Sequence, residues 1–267
     1  MRLATWNVNS IRTRVARTVE FAVREHIDVL AMQEIKCRPD QFPYGPFEDA
    51  GYEVHAHGLD QWNGVAIVSR MPVTDVQLAF PGMPGFAKGV EGPDQPQEAR
   101  AMSALIDGVR VWSLYVPNGR ALGDPHYAYK LDWLAALRTT AAGWLADNPE
   151  AQTALVGDWN IAPENDDVWD MAVFAHSTHV SPPERAAFRA IVEEGFADVV
   201  RPYTPGPGVY TYWDYTQLRF PRREGMRIDF CLASPTLATR VSGAAIDRQA
   251  RKGKGASDHA PVVVDLA

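Results

Sequence analysis

The chain has 267 residues and a formal net charge of −7, and 46% of its residues are hydrophobic. This composition is that of a globular protein with a sizeable core. The acidic balance argues against a protein that coats nucleic acid by bulk charge, but it leaves room for an enzyme that grips a short stretch of DNA with a local basic surface.

No apolar run approaches the ~20 residues that cross a membrane, and the first residues lack the apolar core of a signal peptide. The two cysteines, Cys37 and Cys231, are isolated in sequence and lack metal-ligand spacing. These features predict a cytoplasmic protein with no membrane association, in a reducing compartment.

Two stretches rich in proline and glycine, 81–96 and 202–208, lie between apolar segments. They are typical of surface loops rather than of linkers between domains. Residues 1–267 are therefore expected to form a single domain, and the chain is expected to be a monomer.

Short apolar segments, several of them rich in β-branched residues, predict strands along the whole chain, and two segments have helical periodicity. In chain order the predicted elements are strand Arg2–Asn7, helix Thr13–His26, strands Val29–Gln33, Val65–Ser69, Ala101–Ile106 and Val109–Val116, helix Tyr127–Ala146, and strands Thr153–Asp158, Ile228–Ala233 and Val262–Leu266.

An apolar strand that ends in Trp-Asn occurs twice, as LATWNVN near the start and as TALVGDWN in the middle. Two similar β-rich halves indicate two sheets packed face to face with helices outside.

Polar side chains stand at or just past the ends of several predicted strands. Carboxylates that converge on one edge of a sheet repel each other unless a cation or a proton lies among them. Oxygen ligands favour Mg²⁺, Mn²⁺ or Ca²⁺ over zinc, and the sequence has no His/Cys cluster with zinc spacing. The residues in question are Asn7, Glu34, Asp158, Asn160, Asp229, Asp258 and His259.

Each of these segments also has an ordinary explanation when it is taken alone. The Asn after the first strand fits a helix cap, Gly157-Asp158-Trp159-Asn160 fits an Asx turn, and Ser257-Asp258-His259 fits a loop turn. Five such coincidences would be needed together, so a shared catalytic site is the better interpretation.

Nine segments, in this order, carry a resemblance to a known family: WNVNSIR, QEIKC, NGVAIVSR, SLYVPNG, YKLDWL, GDWNIAP, YTYWDY, MRIDF and SDHAPV. The chain resembles the exonuclease III family of apurinic/apyrimidinic endonucleases, within the wider endonuclease/exonuclease/phosphatase fold. The resemblance implies an α/β fold: a four-layer sandwich of two packed mixed β-sheets flanked by helices.

The resemblance also implies a magnesium-dependent phosphodiesterase that acts on double-stranded DNA with abasic sites or 3′ ends, with Mn²⁺ able to substitute. Glu34 would be the main metal ligand, assisted by Asn7 and Asp258. Asp158 would activate or position the attacking water, and Asn160 would contact the phosphate. These functions match what phosphodiester hydrolysis requires, namely an in-line nucleophile and charge neutralisation at the phosphate.

His259 is implied to contact the scissile phosphate, oriented by Asp229. Tyr115 and Asn118, in SLYVPNG, are implied to lie at the phosphate and are typical of the abasic-endonuclease branch. Tyr115 or the metal could assist the leaving oxygen.

Two basic stretches precede predicted catalytic residues and could contact DNA phosphates. The first contains Arg219, Arg222, Arg223 and Arg227, and the second contains Arg248, Arg251, Lys252 and Lys254. The resemblance implies that Tyr212, Trp213, Met226 and Ile228 form a pocket for a flipped-out abasic sugar. Aromatic core packing and a solvated charged face are the alternatives.

Two other functions stay open from the sequence. A phosphoesterase of the same fold could act on an inositol phosphate or a phospholipid head group, because the fold and the terminal Ser-Asp-His are shared. A DNA-binding protein without catalysis is the other alternative. Met226 stands where many relatives have Trp or Leu, so the preferred lesion is open too.

Overall fold

The computed structural model describes residues 1–90 and 95–267, and within these residues the chain forms two six-stranded sheets and seven α-helices. The strands are β1 (Arg2–Asn7), β2 (Val29–Gln33), β3 (Glu53–His57), β4 (Val65–Ser69), β5 (Val73–Gln77), β6 (Ala101–Ile106), β7 (Val109–Tyr115), β8 (Thr153–Asp158), β9 (Ala197–Asp198), β10 (Asp229–Ala233), β11 (Val241–Ile246) and β12 (Val262–Leu266). The helices are α1 (Ile11–Arg24), α2 (Tyr44–Asp49), α3 (Pro125–Asp147), α4 (Met171–Phe174), α5 (Pro182–Glu193), α6 (Arg219–Arg222) and α7 (Pro235–Ala238).

Both sheets are mixed. The strand order is β11-β12-β1-β2-β4-β3 in the first sheet and β5-β6-β7-β8-β10-β9 in the second. Each sheet contains one parallel pair, β1 with β2 and β7 with β8, and its other pairs are antiparallel. The two strands with the repeated Trp-Asn, β1 and β8, each belong to one of these parallel pairs and contact each other across the sheet interface.

The core has three layers of side chains, which confirms the predicted four-layer sandwich. One apolar cluster lies between the sheets and includes Ala31 and Val65 from the first sheet and Val111 and Val156 from the second. A second cluster joins the first sheet to α1 and α2, and a third joins the second sheet to α3 and α5.

The predicted inner strands agree with the structure within one residue at each end. The four strands that the sequence pattern did not show, β3, β5, β9 and β11, are the edge strands of the two sheets. Most of their residues are partly or fully exposed, so they lack the continuous apolar run of an inner strand. Residues 91–94 of the predicted loop 81–96 lie outside the described residues.

Gly157 is required where β8 approaches β7. Its φ is 147°, and an added Cβ would lie 1.9 Å from the main-chain oxygen of Leu114 on the neighbouring strand. A contact with backbone cannot be relieved by rotating a side chain, so any larger residue must separate the strands. Gly157 thus fixes the end of β8, where Asp158 is the last residue.

We expect Gly157→Ala to lower the free energy of unfolding by roughly 2–4 kcal/mol, because it combines strain with a displaced strand. Urea unfolding measures the change. Gly143→Ala is the matched control, since it lies within α3 with nothing within 4 Å of its added Cβ; it should be stabilising by about 0.5–1 kcal/mol. Equal midpoints for Gly157→Ala and the wild type would contradict this account of the β7–β8 contact.

Candidate active site

The two parallel strand pairs deliver polar residues to one end of the sandwich. Asn7 ends β1, Glu34 follows β2, Tyr115 ends β7 and Asp158 ends β8. They meet other loops around a cavity of about 160 Å³. Its lining consists of Glu34, Tyr115, Asn118, Asp158, Asn160, His179, Tyr212, Met226, Ile228, Asp258 and His259.

Asn7 is fully buried behind this cavity and links two carboxylates. Its Nδ2 donates to Glu34 Oε1 at 2.8 Å and to Asp158 Oδ2 at 2.9 Å. Its Oδ1 accepts from the main-chain nitrogen of Asn9 at 3.0 Å, so the amide oxygen faces the backbone. In this orientation Asn7 holds the two carboxylates in place, and the metal contact that the resemblance implies for it stays a prediction.

Glu34 is held ionised by its neighbours. Its Oε1 also accepts from the Tyr115 hydroxyl at 2.9 Å, and its Oε2 lies 2.7 Å from Lys36 Nζ. Burial alone would raise the pKa of Glu34, but the charge of Lys36 and the Asn7 hydrogen bond outweigh it and lower the pKa. Lys36 also donates to Asn9, whose amide donates to Asp258 Oδ1 at 3.0 Å. Hydrogen bonds through Asn9 therefore link Lys36 to the second carboxylate, Asp258.

His259 and Asp229 form a buried pair at the floor of the cavity, with Nδ1 2.8 Å from Asp229 Oδ2. The other ring nitrogen, Nε2, lies 3.8 Å from Asp158 Oδ2. Burial would lower the pKa of His259, but the charges of Asp229 and Asp158 raise it to about 10. The imidazole is therefore protonated at neutral pH and offers a positive charge to the cavity.

The pKa of Asp158 is also raised, which for a carboxyl group favours the neutral form. Burial and the negative charges of Asp229 and Glu34 raise its pKa to about 7, against the lowering effect of His259. A carboxyl group with a pKa near neutrality is suited to accept a proton from water. Its Oδ1 accepts from Asn160 N at 2.9 Å, so the Asx turn that the sequence allowed does exist and orients the carboxyl group.

The loops after β7 and β8 are joined through their amides. Asn118 Nδ2 donates to Asn160 Oδ1 at 3.0 Å, and Asn160 Nδ2 donates to Val116 O at 3.0 Å. Tyr115 packs its ring against the Arg100 guanidinium, 4.8 Å from Cζ to the ring centroid. Burial and the Glu34 charge raise the pKa of Tyr115, so its hydroxyl stays a donor.

A larger pocket of about 420 Å³ opens beside the cavity and shares Asn118, His179, Tyr212 and Met226 with it. Aromatic residues Trp169 and Phe174 and polar residues such as His176 and Arg219 complete its wall. Of the predicted pocket residues, Tyr212 and Met226 line both spaces, and Ile228 lines the smaller one.

Two predicted substrate-binding residues are corrected by the structure. Trp213 is 1% exposed and packs against Tyr210 and Phe220, so it supports the wall without facing the pocket. Arg227 is 2% exposed, with Nε 2.6 Å from Asp167 and Nη1 2.6 Å from Asp198. Both follow residues of the site in sequence, but buried partners hold their side chains inside.

His179 was not predicted and is the main addition to the site. It has a positive φ of 78°, and its Nε2 lies 3.2 Å from both Asn118 and Asn160. It precedes α5 in a loop with no strand-end pattern, so periodicity could not find it. The only local signal is the helix start Ser181-Pro-Pro-Glu184, an N-terminal capping box that places the loop just before it.

The acidic residues around the cavity divide into two sets. Asp158, Asp229 and His259 are the one group of three acidic, His or Cys side chains close enough for a shared ion among the described residues. In this group the two ring nitrogens of His259 face Asp229, through a hydrogen bond of 2.8 Å, and Asp158, at 3.8 Å. The carboxylates of Glu34 and Asp258 at the rim offer the oxygen donors that Mg²⁺ prefers, and the donor set fits a hard cation.

The second basic stretch packs against Phe220, which lies within the first stretch. Arg248 lies over its ring at 4.1 Å and donates to its main-chain oxygen at 3.0 Å, and Arg251 lies 5.0 Å from the same ring. Glu224 neutralises part of the charge by pairing with Arg219 and Arg222 at 3.0 and 2.5 Å. Arg219 and Glu224 both line the larger pocket.

The chain is similar in sequence and fold to known proteins. Residues 4–259 match the Endonuclease/Exonuclease/phosphatase family. An exodeoxyribonuclease of Bacillus subtilis is 29% identical over 98% of both chains. Among solved structures, a 3′–5′ exonuclease from Neisseria meningitidis is 34% identical with a TM-score of 0.90, and an AP endonuclease from Archaeoglobus fulgidus is 33% identical with a TM-score of 0.90. Both of these structural comparisons cover 100% of this chain and 99% of the other.

The match of the family over almost the whole length, together with two full-length structural likenesses above 30% identity, shows where the protein belongs. The chain is a member of the endonuclease/exonuclease/phosphatase family.

Proposed function

We propose that the protein is a magnesium-dependent DNA repair phosphodiesterase, acting on duplex DNA as an abasic-site endonuclease and as a 3′-phosphodiesterase or 3′→5′ exodeoxyribonuclease. The observation that carries the proposal is the contact of a protonated His259 with Asp158 and Asp229 at the floor of a cavity that Glu34 and Asp258 rim. The positive imidazole is suited to bind a phosphodiester anion, and a carboxylate beside it is suited to accept a proton from an attacking water.

Asp158 is the proposed base. Its Oδ2 accepts from Asn7 while its Oδ1 is fixed by the Asn160 main chain, so the carboxyl group has one orientation. A pKa of about 7 leaves a large fraction ionised at neutral pH and still able to take a proton from water. Asn160 and Asn118 present amides at the same wall, where a phosphate oxygen would accept hydrogen bonds.

His259 is the proposed phosphate contact, and Asp229 fixes its ring through Nδ1. The hydrogen bonds from Ile228 and Asp229 main-chain nitrogens to Thr211 Oγ1, at 3.0 and 3.1 Å, in turn hold the start of β10 in place. Tyr115, protonated and turned to Glu34, is the candidate donor for the leaving oxygen.

Glu34 and Asp258 are the proposed metal ligands, and Asn7 supports Glu34 from behind. A bound Mg²⁺ would supply charge neutralisation at the phosphate, with Mn²⁺ as a substitute. Lys36 forms an ion pair with Glu34 in this structure and would have to move aside for a metal ion.

The DNA substrate is supported by the larger pocket and by the basic residues around Phe220. An extrahelical sugar fits beside Tyr212 and Met226, next to the catalytic groups, and the arginines can hold the flanking backbone. No helix of the described residues is long and apolar enough to cross a membrane. We also propose a cytoplasmic location, which suits two buried, unpaired cysteines; that the chain is a monomer stays a prediction.

The first experiment compares three substrates: a duplex with a tetrahydrofuran abasic analogue, a duplex with a recessed 3′ end, and an inositol phosphate. We expect cleavage of at least one duplex with Mg²⁺, none with EDTA, and no hydrolysis of the inositol phosphate. Labelled products on a denaturing gel identify the cut. Hydrolysis of the inositol phosphate alone would assign the protein to the other branch of the fold.

Glu34→Ala should reduce metal-dependent cleavage by at least ~10²-fold, because it removes a charged oxygen donor from the proposed metal site. Circular dichroism should show an intact fold, and a Mg²⁺ titration should show a higher half-saturating concentration. Glu53→Ala, an exposed carboxylate on edge strand β3, is the control and should behave as the wild type. Undiminished cleavage by Glu34→Ala would remove Glu34 from the metal site.

Asp229→Asn should lower kcat/KM by about 10²-fold and move its pH profile to lower pH. In the wild type the Asp229 charge raises the pKa of both Asp158 and His259. Removal of that charge lowers both values, so the acid limb, where Asp158 loses its proton, and the alkaline limb, where His259 loses its proton, both shift down.

The control for this charge change is Asp265→Asn, on β12 at the protein surface, where the carboxylate lies 3.6 Å from Arg2. Its pH profile should coincide with that of the wild type. A profile of Asp229→Asn that is lower but unshifted would show that Asp229 orients His259 without setting the proton affinities.

A further inference from the structure

A lysine and a glutamate are completely buried together between α3 and α5. Lys130 and Glu184 are both 0% exposed, and the ammonium group contacts Glu184 Oε1 directly. Charged side chains of these types are almost never fully buried without a specific partner. Because desolvation of two charges costs about as much as their attraction returns, such a pair is weak evidence for a contribution to stability.

The ammonium group of Lys130 has two further contacts, and both are with main-chain oxygens of residues in the catalytic wall. Nζ donates to Asn160 O at 2.7 Å and to Asn118 O at 3.3 Å. An ammonium group has three protons, and these three acceptors use all of them. The loops after β7 and β8 are therefore joined to α3 at the two asparagines.

Glu184 extends the same network to a third loop. Its Oε1 also accepts from the main-chain nitrogen of His179 at 2.9 Å, and its Oε2 accepts from the main-chain nitrogen of Ser181 at 3.2 Å. The segment before α5 is thus held by the carboxylate that neutralises Lys130.

The three residues whose backbones are held in this way touch each other through their side chains. Asn118 Nδ2 lies 3.0 Å from Asn160 Oδ1 and 3.2 Å from His179 Nε2, and all three line the catalytic cavity. A neutral apolar pair of the same size would fill the space between the helices, but it could not bind three separate loops.

We propose that Lys130 and Glu184 are positioning residues, which set the relative placement of Asn118, Asn160 and His179 in the catalytic wall. This inference rests on the proposed DNA phosphodiesterase function. Neither residue touches the cavity, so both act on the reaction through the main chain of the residues that do.

The test replaces both charges at once, in Lys130→Met/Glu184→Met. Apolar replacement of a whole buried pair leaves no unpaired charge, so a melting temperature close to that of the wild type is expected. If the pair positions the wall, kcat on the cleaved duplex falls by about 10²-fold with a smaller change in KM, because displacement of about 1 Å at a reacting centre is enough for such a loss. Wild-type kcat in this folded variant would overturn the proposal.

Two measurements separate positioning from a general structural effect. In an Asn118→Ala background, which already lacks one of the positioned amides, the additional loss from the double replacement should be several-fold smaller than in the wild type. The His179 ring signals in NMR spectra, which need no turnover, should shift in the double variant. Full additivity with unshifted His179 signals would overturn the proposal.

Tyr52→Phe is the matched control. Like Lys130, the buried Tyr52 hydroxyl contacts two main-chain oxygens, Ala22 O at 3.1 Å and Ile27 O at 2.7 Å, but Ile27 lies before the start of β2, at the end opposite Glu34. It should lower the melting temperature and leave kcat unchanged. An equal loss of kcat in this control would overturn the proposal, by showing that any lost main-chain contact weakens catalysis.

Should the double variant not fold, Lys130→Arg and Glu184→Gln replace it. Each variant keeps part of the network. Lys130→Arg keeps the positive charge and should retain most of the wild-type kcat, whereas Glu184→Gln loses the negative charge and should lower kcat several-fold. Wild-type kcat in Glu184→Gln would overturn the proposal. An inert wild-type protein on every DNA substrate would instead refute the proposed function, and the His179 signals would still report on the positioning.

Discussion

The site depends on one buried cation, the protonated imidazole of His259. Asp158 and Asp229 lie within hydrogen-bonding or close ionic distance of its two ring nitrogens, and their negative charges raise its pKa despite burial. Without a positive group, two carboxylates in this buried space would repel each other and one would bind a proton. Burial and the negative charges of Asp229 and Glu34 raise the pKa of Asp158, although the charge of His259 lowers it, so one arrangement of charges serves both the proposed phosphate contact and the proposed base.

The backbone brings these charges together because each sheet has a parallel strand pair that ends at the same side of the molecule. The repeated Trp-Asn has a related function in each half. Trp6 is buried between the first sheet and its helices, Trp159 between the second sheet and its helices, and each anchors the asparagine that follows. Asn7 then holds two carboxylates, while Asn160 contacts the neighbouring loop. A polar contact between the sheets, from Gln33 Nε2 to Ser113 Oγ at 3.0 Å, lies next to this site and supports its alignment.

Inner strands could be predicted from sequence because they are buried on both faces and read as continuous apolar runs. The edge strands could not, because their exposed faces carry polar residues and their pairing is fixed by neighbours distant in sequence. The same difference applies to the site. Asp158 and Glu34 follow inner strands and could be identified, whereas His179 reaches the cavity only through the packing of a loop against α5. Its position depends on tertiary contacts with Glu184, which no local pattern encodes.

The corrected residues show why closeness in sequence to a catalytic strand does not place a side chain in the site. Arg227 and Asp229 are both buried at the start of β10, yet Asp229 contacts His259 while Arg227 pairs with Asp167 and Asp198. A guanidinium group that pairs with two carboxylates has its charge neutralised and its donors occupied, so it has little left for DNA. Arg248 differs from Arg227, because its contacts are the Trp213 and Phe220 rings and the main-chain oxygen of Phe220 rather than carboxylates. Stacking on Phe220 holds Arg248 in place without cancelling its charge, so a chain of net charge −7 keeps a local positive group for the proposed contact with DNA.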